Sequence, residues 1–355
     1  MKSSEFWQKK RVLITGHTGF KGSWLLLWLI ELGADVTGIS LEPDSTESLF
    51  NEIYPKIKGS FKHIISDINE FNTLEDKINI FKPEVVFHLA AQPLVRESYI
   101  NPVKTWTTNL MGSIFLLEAL KSLDNDCSVV MITTDKVYKN NEWIYGYREI
   151  DPLGGRDPYS ASKASAEIAI SSWRDSFCGD LPHQKSNLYI ATARSGNVIG
   201  GGDWSKDRIF PDVIRSLKSK KIINIRNKKS TRPWQHVLDP IGGYLILAEK
   251  LNSKESIYCD AFNFGPNINS NKSVEELVKK ILEYWPGEWK ELEINSFHEA
   301  GMLNLNIDKA NNLLGWRPRW SYEESIKKTV EWYRQTFEGE EPFDLCLRDI
   351  SSYQN

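Results

Sequence analysis

The chain has 355 residues, 41% of them hydrophobic and 26% charged, a globular composition that excludes both a membrane protein and a disordered tail protein. Lys and Arg number 44 against 47 Asp and Glu, a net charge of −3, so there is no basic field for nucleic acid and an anionic ligand needs locally placed cations. Cys127, Cys178, Cys259 and Cys346 form no CxxC pair and have no histidine cluster beside them, so they read as reduced structural thiols, and no metal is expected. The polar start from Met1 to Arg11 carries no targeting pattern, and the apolar run Trp24 to Ile30 falls short of the about 20 residues a membrane helix needs. A cytoplasmic protein without a membrane partner is expected.

Arg11 to Thr15 reads as a buried strand ending at glycine, followed by a helix over Gly22 to Leu32. Val36 to Ser40, His63 to Ser66 and Val85 to Leu89 are the next strands, with a helix over Thr73 to Phe81 before the last of them. Val103 to Lys121 reads as a long helix, Val129 to Thr133 as a fifth strand, Pro158 to Trp173 as another long helix and Leu188 to Ala193 as a sixth strand. This alternation predicts an α/β protein, a Rossmann-like doubly wound parallel sheet. Beyond Gly200 the alternation stops. Helices are predicted at Pro211 to Ser219, Asp239 to Leu251, Val274 to Tyr284, Ile307 to Leu314 and Tyr322 to Phe337, and the polar tail from Glu338 to Asn355 as partly loose. The expected division is a dinucleotide-binding domain over 1–200, to which 231–264 returns, and a smaller mixed α/β lobe for substrate over 201–230 and 265–345.

Gly16, Gly19 and Gly22 lie between the first strand and the first helix, where glycine lets the backbone approach a pyrophosphate and a helix N-terminus supplies N–H donors. Their GxxGxxG spacing departs from the GxGxxG fingerprint. An acid is expected at the end of the second strand to hold the ribose of NAD, yet Ser40 stands there, with Glu42 two residues on. Lys21 in the glycine loop either favours the 2′-phosphate of NADP or is a solvated lysine. Asp67 and Ile68 either contact adenine or cap a helix. Tyr159 and Lys163, spaced i, i+4, put a phenol and an ammonium on one helix face. A nearby cation is expected to bring the phenol below its ordinary pKa of about 10, so that it can take a proton from a substrate hydroxyl. Thr134, Asp135 and Lys136 follow the fifth strand at its C-terminal end, where open α/β sheets bind ligands.

Together, Gly16 to Gly22, His88-Leu-Ala-Ala-Gln92, Asn109, Thr134, Tyr159, Lys163 and Leu314-Gly-Trp-Arg-Pro318 resemble the extended short-chain dehydrogenase/reductase family over most of the chain. The resemblance implies Thr134, Tyr159 and Lys163 as redox residues and NAD as cofactor. It implies contacts to NAD from Gly16, Thr18, Gly19, Phe20, Gly22, Ser40, Asp67, Ile68, Leu89, Ala90, Ala91, Asn109, Tyr159 and Lys163. Asp135-Lys136 after the threonine is similar to the acid and base pair of the nucleotide-sugar 4,6-dehydratases. More narrowly, Gln92 to Arg96, Arg194 to Trp204, Asp207-Arg208 and Arg232 to His236 resemble the branch of that group acting on CDP-glucose. Gln92, Arg96, Asn197, Trp204, Arg208, Arg232 and His236 are then the expected substrate contacts, and a deoxysugar pathway the expected setting.

Read as residues alone, Arg208 and Arg232 suit a diphosphate and Trp204 or Trp234 a ring, while a tryptophan among thirteen is as readily packing and a lone His88 or His236 structural. The alternatives are a UDP, GDP or dTDP sugar, an epimerase, or a non-catalytic dinucleotide-binding regulator. The family further implies a homodimer or a dimer of dimers, with Val103 to Lys121 and Pro158 to Trp173 as the interface helices.

Overall fold

In the computed structural model, which describes residues 4–178, 187–292 and 302–355, Arg11–Thr15 forms β1 and runs into helix α1, Phe20–Glu31. Asp35–Ser40 (β2), α2 (Leu49–Ile57), Lys62–Ile65 (β3), α3 (Phe71–Phe81) and Val85–His88 (β4) follow. The predicted long helix after β4 is continuous but irregular. Pro102–Trp106 (α4) passes through a π-helical stretch, Thr107–Met111, into Gly112–Leu120 (α5). Cys127–Ile132 (β5), Pro158–Phe177 (α6) and Leu188–Ser195 (β6) complete the alternation. The later elements are Ile209–Lys218 (α7), Leu238–Leu251 (α8), Ala261–Phe264 (β7), Val274–Tyr284 (α9), Tyr322–Glu338 (α10) and Pro342–Gln354 (α11).

Seven parallel strands lie in the order β7-β6-β5-β4-β1-β2-β3. The order reverses between β1 and β4, and a crevice opens there beyond the carboxyl ends of the strands. β5 is buried at every position because helices cover both faces of the sheet, which is why its sequence, CSVVMI, does not alternate. Beyond β6 the additional sheets are two-stranded. Val198–Ile199 pairs with Gln235–His236, Thr231–Pro233 with Asn271–Ser273, and Ile223–Ile225 with Trp289–Glu291.

α1 is buried along its whole middle, from Gly22 to Leu29, since it lies between the sheet and a second helical layer. Part of that layer is the C-terminal tail, which is helical and not loose. Leu345, Cys346, Ile350 and Tyr353 form its apolar stripe, and Trp28 of α1 meets Tyr353 edge to face at 5.6 Å. The Tyr353 hydroxyl donates to Asp239 Oδ1 at 2.8 Å. The tail's mean polarity concealed this spacing, because one face of the helix remains in water.

Candidate active site

The glycine loop bends where β1 and β4 lie side by side. Gly16 has φ +78°, and a Cβ there would stand 2.6 Å from the Ala90 backbone nitrogen; at Gly22 it would stand 2.1 Å from the Gly16 carbonyl oxygen. Any side chain at either position closes the cradle. Leu89, Ala90 and Ala91 are partly exposed along its other wall. Thr18 Oγ1 lies 2.7 Å from Ser40 Oγ and donates to the Leu41 carbonyl at 2.9 Å, so Ser40 sits at the outer end of the same cradle, with Glu42 exposed beyond it. Phe20 packs toward Gly200. Asp67 Oδ1 accepts from the backbone and side chain of Asn69, which makes it a turn-forming residue. The Ile68 side chain is core, 2.7 Å from where a Gly112 Cβ would stand.

At the inner end, β5 stops and the chain turns at once. Thr134 caps the short 3₁₀ turn Asp135–Val137 and accepts from the Lys136 N–H, and its own hydroxyl donates to Asp135 Oδ1 at 3.0 Å. This turn lets adjacent Asp135 and Lys136 face one site, where a continuing strand would send them to opposite sides. Asp157 caps α6 through the Ser160 N–H and delivers Tyr159 in the first turn and Lys163 one turn later. Burial pushes the Tyr159 phenol up to about 12, while a hydrogen bond with Thr134 and the Arg208 charge work to lower it. The expected lowering by Lys163 is thus not what this state shows: Lys163 Nζ donates to the Ile132 carbonyl at 3.3 Å, and burial holds its own pKa down at about 8.

Lys21 is the main surprise. It points neither to solvent nor to the Ser40 end, where a 2′-phosphate would lie. Its ammonium donates to Ser195 Oγ at 2.7 Å and lies in the field of Asp135, Lys136, Lys163 and Arg208. Burial and these cations bring it to about 7. Ser195 and Tyr244, which share a 2.8 Å hydrogen bond, belong to the same wall and were not anticipated. Arg208, anchored on Asp203 at 3.1 Å, reaches the field of both Tyr159 and Lys21.

Other expected contacts are placed elsewhere. The Asn109 amide bonds to the Gln92 backbone and to Ser162, and the Gln92 amide to Leu94 and Thr105, so they fix the loop after β4 from within rather than presenting free groups. The π-helical stretch turns Asn109 inward for this. Trp204 packs among Tyr333, Phe337 and Lys218 in the lobe, and Trp234 is core. His236 is wholly buried between Trp24 and Trp320 with its pKa pushed down to about 3, a core side chain and not a substrate contact. His88 is likewise internal, bridging Thr15 and Ser113. Arg96 reaches across to Asp207, which Arg226 also meets, each at 3.0 Å. Asn197 follows β6, partly exposed, and makes no side-chain hydrogen bond among the described residues. Arg232 is partly buried on its short strand.

A family model described as GDP-mannose 4,6 dehydratase matches residues 13–329, and the CDP-glucose 4,6-dehydratase of Salmonella typhimurium is 45% identical over 100% of this chain and 99% of its own length. The chain belongs to the extended short-chain dehydrogenase/reductase family. Among further relatives, a mouse dTDP-D-glucose 4,6-dehydratase is 27% identical over 92% of this chain and 90% of its own. The fold also matches solved members: the dTDP-glucose 4,6-dehydratase of Bacillus anthracis in complex with NAD has TM-score 0.78 at 20% identity, covering 94% of this chain and 99% of its own. A UDP-glucose 4-epimerase of Thermotoga maritima gives 0.76 at 23%, covering 92% and 99%. The α/β architecture of the family is therefore that of this chain. No helix among the described residues is long and apolar enough to cross a membrane.

Proposed function

We propose that the chain is an NAD-dependent CDP-glucose 4,6-dehydratase, forming CDP-4-keto-6-deoxyglucose. The observation that carries the reading is the turn after β5, which sets Asp135 and Lys136 beside Thr134 within the field that also holds Tyr159. The full-length 45% identity to a CDP-glucose enzyme supports the choice of base. The cradle at Gly16 and Gly22 fits a dinucleotide, since a Cβ at either would fill it. Glu42 at the outer end and a Lys21 turned inward favour NAD over NADP, because a 2′-phosphate would face a carboxylate and no partner lysine. The Gly16–Gly22 cradle would hold NAD, which would supply the hydride acceptor for C4 of the sugar and the donor for C6.

The residues divide the proton work. Tyr159 takes the proton of the C4 hydroxyl, with Thr134 holding its oxygen and the Arg208 charge favouring the phenolate, and Lys163 stands one turn away to hold the cofactor. The C5 proton becomes acidic only beside a C4 ketone; Lys136 removes it and returns a proton to C5 once C6 has been reduced. Asp135 gives a proton to the departing C6 hydroxyl. Lys21 and Arg208 supply positive charge for the sugar diphosphate. We further infer a homodimer through the α4–α5 and α6 helices, supported by Val103 and Ile168, which are 77% and 59% exposed there.

The test is incubation with NAD and, separately, CDP-, UDP-, GDP- and dTDP-glucose, followed for a 4-keto product. With C4-deuterated CDP-glucose the label is expected at C6 without net NADH. Turnover of another base, or label lost to water, overturns the reading. Sedimentation at working concentration giving a monomer mass overturns the dimer.

A further inference from the structure

The protein holds a buried ion pair that the reaction does not use. Glu167 and Arg194 are 2% and 4% exposed, and Arg194 Nη2 stands 2.8 Å from Glu167 Oε2. The other carboxylate oxygen accepts from Thr133 at the end of β5, and Oε2 also accepts from Thr192 of β6 at 2.9 Å. Arg194 in turn donates to the Tyr138 hydroxyl, whose proton goes to Asn263 of β7. One carboxylate therefore ties α6 to two strand ends, and Arg194 extends the tie to a third. Burying such a pair brings no net stability over well-packed apolar residues, so its presence calls for a role in placement or charge.

Both roles are visible. Thr133 precedes Thr134, and Glu167 follows Lys163 by four residues, on the same face of α6. Lys163 is faced by Glu167 one turn further along its own helix, by the neutral His88 of β4 and by Lys21 from the glycine loop, with Tyr159 one turn before it on the same helix. Glu167 is the attraction that opposes its burial. We propose that Glu167, with Arg194 to hold it, is a positioning residue that fixes the distance between Thr134 and the Tyr159–Lys163 face and supplies the counter-charge for Lys163. It touches no substrate. The proposal builds on the function above, because it needs a charged Lys163 to hold the cofactor.

Glu167→Gln alone leaves Arg194 buried and unpaired and is expected to fold poorly. Glu167→Gln/Arg194→Gln keeps an amide beside both threonines, accepting from one hydroxyl and donating to the other, and removes both charges. ¹³C NMR of the lysine ε-carbons, with Lys163 assigned by its absence in Lys163→Met, is expected to give a titration midpoint about one pH unit lower in the double variant. Binding of CDP should stay within about twofold, while kcat falls about tenfold and its alkaline limb moves with the Lys163 midpoint. If the double variant fails to fold, Glu167→Asp, which withdraws the charge by one methylene, should shift the midpoint in the same direction by less. An unmoved Lys163 midpoint and alkaline limb would make the pair structural only and overturn the proposal. A parent protein that converts no nucleotide sugar would sink the functional reading instead, and the NMR titration would still decide this one.

Discussion

The sheet half and the lobe place their functional groups by different means. In the sheet half, Gly16, Thr134, Tyr159 and Lys163 stand at strand ends or in the first two turns of a helix, so the backbone itself aims them. In the lobe, Arg208 reaches toward the crevice and Arg226 stands beside it on long side chains, and their direction depends on Asp203 and Asp207. A short element fixes a short group tightly; a long side chain is placed only by whatever holds its end. The sheet half should therefore carry the chemistry with large, all-or-none effects, and the lobe should carry binding with graded ones.

The largest expected effect is at Tyr159. Tyr159→Phe deletes one oxygen, keeps the ring in its buried place and should lower turnover by about 10³-fold or more, with CDP and NAD binding within a few fold. Binding isotherms and single-turnover kinetics check both halves of this. Near-native turnover would move the proton acceptor away from the sheet half and erase the contrast with the lobe.

Next is Lys136→Met. Tyr159, Thr134 and the cofactor cradle remain, so oxidation at C4 should proceed and stop before water is lost. Overall turnover should fall by about 10²-fold or more, while reduced-nicotinamide absorbance persists after one equivalent of sugar nucleotide. Normal product with rapid solvent exchange at C5 would give the base role to another group. Gly22→Ala should act on binding instead. Its Cβ would stand 2.1 Å from a backbone oxygen, so the loop must shift, and NAD affinity should drop by about tenfold or more while CDP binding holds. Unchanged NAD titration would place the dinucleotide elsewhere.

The same contrast explains what could be read in advance. β1 and α9 have the bounds their spacing predicts, and α6 begins at the proline that starts it, because these signals lie within a few neighbouring residues. Ser195 lies 174 residues from Lys21, so no local pattern could show that the lysine turns inward. His236 is core because Trp24 and Trp320, from distant segments, enclose it. α2 was missed behind Pro55, although Ser48 caps it through the Asn51 N–H. Glu167 was the legible omission. Four residues after Lys163 on an otherwise buried helix face, an acid needs a partner, and Arg194 at the end of the sixth strand was available.

The smallest expected effect is on stability, and it crosses the boundary between the two regions. His17 and His88 belong to the sheet half and His236 to its junction with α10, and burial holds all three at about 3. Their folded pKa values lie below the unfolded value of about 6.5, so the stability they allow is complete above pH 6.5 and is lost as pH falls toward 3. By pH 5 each costs about 2 kcal/mol, since the unfolded chain takes up a proton that the folded one refuses. Asp239 and Asp349, both raised to about 6, and Glu52, raised to about 7, act with the opposite sign: their contribution is present below pH 4 and lost as pH rises to 7, so they offset most of the fall over that range. The three histidines and the three carboxylates nearly cancel, and the thermal midpoint should fall only slightly between pH 7 and pH 5. His236→Asn, which cannot take up the proton, should remove about 2 kcal/mol of the histidine loss and so make the variant more stable at pH 5 than at pH 7, without changing CDP affinity at pH 7.5. A pH dependence in His236→Asn identical to the parent's, or a loss of CDP binding, would return His236 from the core to the substrate site.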